Sequence, residues 1–250
     1  MNPTFCRLCL KARKLQKSHL LPAALYGARK KDFEVHTVSG VTRTQTQMKQ
    51  PLLCSECEQR FNQKGEDHVL KAIAPKSKKH FPLHARMRVA FARESDPSVS
   101  RFHGPDFGLD TNQFAYFAIS VIWRVAVAQW EMQDGTFTRK VDLGDYEEEM
   151  RRFLVGELAL PDHMVVIVIV CSDTESRRWF FVPGEFIEAG CINFRFLARG
   201  VYFRVMLGHS IDPTFQNGSC TAPLKCVYYG DCERRTLQDT EGRYGRSTNG

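Results

Sequence analysis

The sequence predicts an α+β fold made of two unlike parts. Two Cys-x-x-Cys pairs lie within the first 57 residues of the 250-residue chain. An apolar helical segment occupies the middle of the chain, and apolar stretches of strand length follow it. The cysteine pairs indicate a small region built around a metal ion. The helix and the strands indicate an α+β domain with a central apolar helix and an antiparallel or mixed sheet.

The cysteine pairs are Cys6-Arg-Leu-Cys9 and Cys54-Ser-Glu-Cys57. In each pair, the spacing lets both thiolates reach the same tetrahedral ion. The pairs are 44 residues apart, so the ion would join distant pieces of chain. Four thiolates leave no open coordination position, which predicts a structural zinc ion. Redox-active dithiols or buried thiols are the alternatives, but neither pair follows a clear parallel strand.

The central helix is predicted to begin at Asp110 or Thr111, since either residue suits an N-cap. It should end at about Gln133, before the turn signal Asp134-Gly135. Apolar residues cover nearly its whole circumference, which is typical of a helix buried in the centre of a domain.

The C-terminal part of the chain predicts one further helix and several strands. An acid-fronted helix is expected over residues 144–155, where acidic residues precede basic ones and suit the helix dipole. Strands are expected at Met164–Cys171, at 179–182, and over 191–207 with a break at Gly200.

Composition divides the chain at about residues 74 and 110. Residues 1–74 would form the zinc-binding module, and residues 110–250 the α+β domain. Residues 75–109, rich in Lys, His, Pro and Ser, would form a basic connector whose histidines, His84 among them, face phosphate or solvent.

The chain is expected to be cytoplasmic and to have no membrane partner. No apolar leader precedes Cys6, and no stretch reaches the roughly 18 uncharged apolar residues that a membrane span needs. Cytoplasmic thiols stay reduced, which favours metal ligation over disulfides. Five further cysteines lack a Cys-x-x-Cys spacing, so a second metal site among them is less favoured: Cys171, Cys191, Cys220, Cys226 and Cys232.

Charge is distributed unevenly along the chain. Residues 1–110 hold 20 Lys and Arg against 10 Asp and Glu, a net +10, whereas residues 111–250 hold 15 against 18, a net −3. A basic half favours a nucleic-acid partner, with a solvated basic face as the alternative. The candidate phosphate-binding residues are Lys14, Lys17, Arg29, Lys30, Lys64, Lys76, Lys78 and Lys79.

A histidine and two carboxylates indicate hydrolytic chemistry near the cysteines. His19 lies in an extended stretch between the pairs, and a helix beginning near Cys54 would carry Glu58, Asn62 and Glu66 along one stripe. An imidazole that activates water, facing oxygen ligands for Mg²⁺ or Mn²⁺, is what metal-assisted phosphodiester hydrolysis needs. His19, Glu58 and Glu66 are therefore the candidate catalytic residues.

The motifs of the N-terminal part occur in a specific order: Cys-x-x-Cys, then Ser-His-x-x-Pro, then Leu-Leu-Cys-x-x-Cys-Glu-x-x-Phe. In this order the chain resembles the zinc-stabilised branch of the HNH endonucleases. The later blocks Phe117-Ala-Ile-Ser-Val-Ile-Trp123-Arg124 and Val141-Asp-Leu-Gly144 are similar to a bacterial group of that class.

The resemblance implies a treble-clef, ββα-metal module that cleaves DNA, expected to be double-stranded, in a setting such as bacterial genome defence. It assigns the general base to His19 and the structural zinc to the four cysteines. The resemblance is compatible with a protein that acts alone, with a protein partner, or as an oligomer.

The sequence departs from the family pattern at three places. Ser18 stands where the family has an acidic metal ligand, and Glu58 stands where Asn often follows the last cysteine. The third motif has Asn62, Glu66 and His68 as candidates. Either Glu58 or Glu66 supplies the missing charge, or the module is catalytically degenerate and binds nucleic acid or a protein partner. A scaffold whose partner docks on the C-terminal sheet is a further alternative.

Overall fold

The computed structural model describes residues 5–26, 33–37, 40–44, 47–74, 81–91, 99–131, 141–174, 176–188 and 191–231. Its strands are β1 (Leu15–His19), β2 (Phe33–Thr37), β3 (Gly40–Thr44), β4 (Lys49–Cys54), β5 (Val99–His103), β6 (Met164–Cys171), β7 (Trp179–Glu188), β8 (Cys191–Ala198), β9 (Val201–Leu207) and β10 (Cys226–Gly230). Its helices are α1 (Ser55–Phe61), α2 (Asp67–Ile73), α3 (Pro82–Phe91), α4 (Thr111–Val127), α5 (Tyr146–Val155) and α6 (Pro213–Asn217), and a π-helical segment, Asn62–Glu66, joins α1 to α2.

The strands form two sheets of very different size. β1 and β4 make a two-stranded antiparallel sheet, and the other strands make one sheet in the order β3-β2-β7-β8-β9-β6-β10-β5. The large sheet is mixed, because β2 pairs parallel with β7 and β10 pairs parallel with β6. The predicted α+β class with a mixed sheet is therefore confirmed.

Helix α4 lies at the centre of the core, as predicted. Asp110 is its N-cap and accepts hydrogen bonds from the backbone N–H groups of residues 112 and 113. The rings of Phe117 and Phe203 on β9 lie 5.4 Å apart, so α4 packs on the large sheet. The helix ends at Val127, earlier than predicted, because the indole N–H of Trp130 donates to the Arg124 carbonyl at 3.1 Å and takes the acceptor that a continuing helix would use.

The strand predictions hold in part. Strand β6 matches its predicted range, and the predicted break at Gly200 is a two-residue hairpin turn between β8 and β9. Arg199 and Gly200 have φ values of 52° and 74°, and two positive φ values are the requirement of a type I′ turn. Strand β7 runs past residue 182 to Glu188, and a bulge between Phe181 and Gly184 accommodates the intervening proline.

The expected boundaries at residues 74 and 110 do not separate the sheets. β2 and β3 come from the expected zinc-binding module, yet they extend the large sheet beside β7. The expected connector contributes α3 and the edge strand β5. Its residue His84 is buried at 2 % exposure rather than facing solvent, because it lies on the core side of α3 with Leu83 and Met87.

The described residues include no helix that combines the length and apolar character needed to cross a membrane.

Candidate metal centre and the adjacent polar cluster

Four cysteines form the candidate metal centre, hereafter the four-cysteine cluster: Cys6, Cys9, Cys54 and Cys57. Their sulfur atoms all lie within 4.8 Å of one another. A zinc ion with Zn–S bonds of about 2.3 Å would separate tetrahedral sulfurs by about 3.8 Å. The Sγ atoms of Cys9 and Cys54 are 3.9 Å apart, so the four ligands fit such an ion.

Local backbone structure prepares each half of the four-cysteine cluster. The first pair lies in a tight turn closed by a bridge between Phe5 and Ala12 and by a hydrogen bond from Leu10 N–H to the Cys6 carbonyl. The second pair lies at the junction of β4 and α1: Cys54 ends β4 and is the N-cap residue of α1, which carries Cys57. Pairing of Leu15 on β1 with Cys54 on β4 brings the two halves together.

Hydrogen bonds link the cysteine sulfurs to one another and to the backbone. Backbone N–H of Cys54 donates to Cys6 Sγ at 3.3 Å. A hydrogen bond from the Cys57 thiol, together with backbone N–H groups, lowers the pKa of Cys6 to about 4, and that same contact raises the pKa of Cys57. An ion bound to the four sulfurs would take the place of the Cys57 proton.

A second group of side chains, hereafter the polar cluster, lies beside the metal centre: Ser18, His19, Glu58, Glu66 and Arg124. Ser18 is fully buried, accepts from the backbone N–H of Leu53 at 3.1 Å and donates to the Glu58 carboxylate. Burial raises the pKa of Glu58, although the hydrogen bond from Ser18 and the charge of Arg124 act in the opposite direction. Glu66 and His19 also act electrostatically on Glu58, so the five side chains form one group.

The two candidate carboxylates differ in their surroundings. Glu66 is 7 % exposed and accepts a hydrogen bond from the buried guanidinium of Arg124. Glu58 is only half-buried. Glu66 is therefore held in an ion pair inside the protein, whereas Glu58 keeps access to solvent.

The predicted stripe of residues 58, 62 and 66 is not kept along the helix. Asn62 is exposed while Glu66 is buried, because the π-helical segment takes one extra residue per turn and changes which side chains share a face. Gly65 on this segment allows a close approach to α4, since a Cβ there would lie 3.0 Å from the backbone nitrogen of Phe117.

His19 is half-buried at the end of β1. Its Nε2 lies 2.9 Å from Gln47 Oε1. Since an amide oxygen only accepts, Nε2 carries the proton and Nδ1 is the basic nitrogen. His68, another candidate from the sequence, instead accepts the backbone N–H of Asp110 at 2.8 Å and helps to begin α4.

The candidate phosphate-binding residues fall into two groups. Lys14, Lys17 and Lys64 are exposed. The others lie outside the described residues: Arg29, Lys30, Lys76, Lys78 and Lys79.

Within the described ranges, the four-cysteine cluster is the one group of three or more His, Cys, Asp or Glu residues arranged to hold a metal ion. Cys191, Cys220 and Cys226 are buried free thiols, Cys171 forms a disulfide, and Cys232 lies outside the described residues. A second cysteine metal site is thus not formed by the cysteines that are described.

Sequence reasoning did not assign a role in the site to Arg124. The available signal was a single charged residue inside an otherwise apolar helix, which in a buried helix requires a partner.

Comparison with known proteins found no match: no family model, no curated protein and no solved structure is significantly similar to this chain.

Proposed function

We propose that the protein is a zinc-stabilised, metal-dependent nuclease of the HNH type that hydrolyses phosphodiester bonds in DNA. One observation carries the proposal: the Glu58 carboxylate accepts a hydrogen bond from Ser18, the residue directly before His19. A carboxylate from α1 thus lies beside the strand position where the HNH endonucleases carry an acidic residue. Glu58 would replace the charge that Ser18 lacks.

The order of elements supports a ββα module. β1 pairs antiparallel with β4, and β4 leads directly into α1, whose first turn carries Cys57. The four-cysteine cluster suits a structural zinc ion with no open coordination position. In this proposal zinc holds β1 against α1 and takes no part in the reaction.

The proposed roles divide between His19 and Glu58. His19 Nδ1 would accept a proton from the attacking water, since Nε2–H donates to Gln47. Glu58 would hold a hard divalent cation, Mg²⁺ or Mn²⁺, which supplies charge stabilisation at the phosphate oxygens. Glu66 is left to neutralise Arg124.

Charge supports both a cation and a nucleic-acid substrate. Glu58 and Glu66 together carry one more negative charge than Arg124 neutralises, which leaves the polar cluster attractive to a cation. Lys14, directly before β1, and Lys17, on β1, are both exposed and would contact the DNA backbone.

Cleavage of supercoiled plasmid tests the proposal directly. Cleavage should require Mg²⁺ or Mn²⁺, and His19→Ala should lower the rate by about 10²-fold or more, the usual contribution of a positioned base. His209→Ala, which removes an exposed histidine after β9, is the control and should cleave normally. Wild-type rates in His19→Ala, or no cleavage of any DNA or RNA with either metal, would overturn the proposal.

Three variants separate the carboxylates. Glu58→Gln should lower cleavage, with partial recovery at high Mn²⁺ concentration, because the lost group is a metal ligand. Glu66→Gln should show no such recovery, since its partner is Arg124. Ser18→Asp should keep or raise activity by restoring an acidic residue on the strand.

A non-catalytic module that binds nucleic acid is the second candidate, and one observation favours it. Arg124 already supplies a positive charge beside both carboxylates, as a bound cation would. Under this alternative the protein binds DNA with a steep salt dependence but does not cleave it. Lys14→Ala/Lys17→Ala/Lys64→Ala should then lower the slope of log K against log salt by about 2.7, whereas Lys225→Gln should leave it unchanged.

A further inference from the structure

Arg124 reaches from α4 into the N-terminal part of the chain. Its guanidinium is 1 % exposed; Nη1 donates to the carbonyl of Leu20 at 3.2 Å, and Nη2 donates to the carboxylate of Glu66. It also lies over the ring of Phe61, 4.7 Å from the ring centre. Each of these three groups belongs to the first 74 residues, although Arg124 follows Leu20 by 104 positions.

The contacts of Arg124 connect two segments that carry the proposed chemistry. Leu20 directly follows His19, and Phe61 and Glu66 lie on the helical stretch that carries Glu58. Arginine keeps its charge when buried, so its planar guanidinium holds both acceptors in a fixed geometry. Removing Arg124 would release the end of β1 from the helix that faces it.

We infer that Arg124 is a positioning residue of the proposed site, and that helix α4 is therefore required to complete it. Through Leu20 and Glu66, Arg124 fixes the distance between the imidazole of His19 and the carboxylate of Glu58. The inference rests on the proposed function. Arg124 does not act on substrate itself, because its side chain is buried. Small errors in the placement of reacting groups lower the rate steeply without a matching loss of substrate binding.

A merely structural role makes a different prediction. A buried ion pair can be replaced by two apolar side chains of similar volume with little loss of stability, whereas removing one partner leaves an unpaired buried charge. Arg124→Met/Glu66→Met should therefore fold, but it lacks the hydrogen bond to Leu20. If Arg124 only fills the core, this double variant should also cleave normally.

The experiment compares four 250-residue proteins: wild type, Arg124→Met, Arg124→Met/Glu66→Met, and the control Arg151→Met/Glu148→Met. The control removes a guanidinium that also donates to an N-terminal carbonyl, that of Leu8 at 2.9 Å. Arg124→Met should lower Tm and zinc retention, and the double variant should recover both. In the recovered double variant kcat should remain about 10²-fold below wild type with KM for DNA changed less than about 2-fold. The control should keep wild-type kcat.

A second measurement does not depend on cleavage. The imidazole ¹⁵N signals of His19 report its hydrogen bonding and surroundings, and they should shift in the double variant but not in the control. A double variant with wild-type kcat and unshifted His19 signals would overturn the positioning role and leave the nuclease proposal intact. If wild type itself does not cleave, the nuclease proposal fails, and a shift of the His19 signals confined to the Arg124 variants would still support positioning.

Discussion

The two sheets of the protein share one apolar core but differ in size and in their other interactions. The β1–β4 sheet consists of a single pair of strands. The four-cysteine cluster lies at the end of this sheet where Leu15 pairs with Cys54. The eight-stranded sheet packs α4 on one face, and its strand β6 is buried at all but one position. A two-stranded sheet is marginal in water by itself, whereas a large sheet covered by a helix is stabilised by apolar burial. We therefore expect the small sheet to depend on an ion held by the four-cysteine cluster, and the large sheet to be independent of it.

Loss of metal binding should produce the largest difference in stability between the two sheets. Cys54→Ser should abolish zinc binding and unfold the region around β1, β4 and α1, because structural zinc binding is worth about 10 kcal/mol or more of folding free energy. The measurements are zinc content per chain and hydrogen exchange of the backbone amides. Exchange should rise in the small sheet and change little in β6 and β9.

Cys226→Ala is the matched control, since it removes a buried thiol from the large sheet. It should keep one zinc per chain. Reduced, folded wild-type protein without zinc, or equal zinc loss in the two variants, would contradict the metal dependence of the small sheet.

Features that depend on local spacing could be predicted from the sequence, whereas pairings between distant strands could not. Ligand spacing is local, so the two Cys-x-x-Cys pairs identified the four-cysteine cluster without knowledge of the fold. The apolar run of β6 and the Gly200 turn are also local signals. By contrast, the parallel pairing of Glu34 on β2 with Trp179 on β7 joins residues far apart in sequence, and no periodicity encodes such a partner.

The polar cluster was predictable only in part. The sequence predicted His19, Glu58 and Glu66 as candidates from their positions around the cysteines, but the pairing of Glu66 with Arg124 depends on how α4 crosses the helical stretch after Cys54. The π-helical segment adds to the difficulty, because its extra residue changes the faces of Asn62 and Glu66 and has no reliable local signature. In α3, the spacing of Leu83 and Met87 is a helical signal within a segment whose composition otherwise favoured a connector.

Acid should weaken the large sheet through His84. Burial, with the nearby charge of Arg177, lowers the pKa of His84 from 6.5 to about 4. Its Nε2 donates to the Arg199 carbonyl at 3.3 Å, at the turn between β8 and β9. The unfolded chain therefore binds the proton more readily than the folded protein, so the stability of the fold falls as pH drops from about 6.5 toward 4.

The His84 effect should amount to about 2 kcal/mol between pH 7 and pH 5. Urea unfolding of wild type and His84→Gln at both pH values measures it, with His209→Gln as the exposed control. The loss of stability on acidification should be smaller by that amount in His84→Gln alone. An equal loss in all three proteins would mean that His84 does not titrate with a lowered pKa.

The smallest expected effect concerns the contact between the π-helical segment and α4, at Gly65. Alanine normally favours a helical position over glycine by about 1 kcal/mol. At Gly65 the added Cβ would lie 3.0 Å from the backbone nitrogen of Phe117 and 3.2 Å from the carbonyl oxygen of Gln113. These are main-chain atoms of α4, which cannot turn aside as a side chain can, and overpacking of this kind costs about 1–3 kcal/mol.

The balance should leave Gly65→Ala less stable than wild type by about 1 kcal/mol. Asn62→Ala, an exposed substitution on the same π-helical segment, should stay within about 0.5 kcal/mol of wild type. Because Gly65 precedes Glu66, displacement of the segment should also disturb the ion pair with Arg124. A Gly65→Ala protein more stable than wild type would mean that helix propensity outweighs the contact and that α4 does not approach this segment closely.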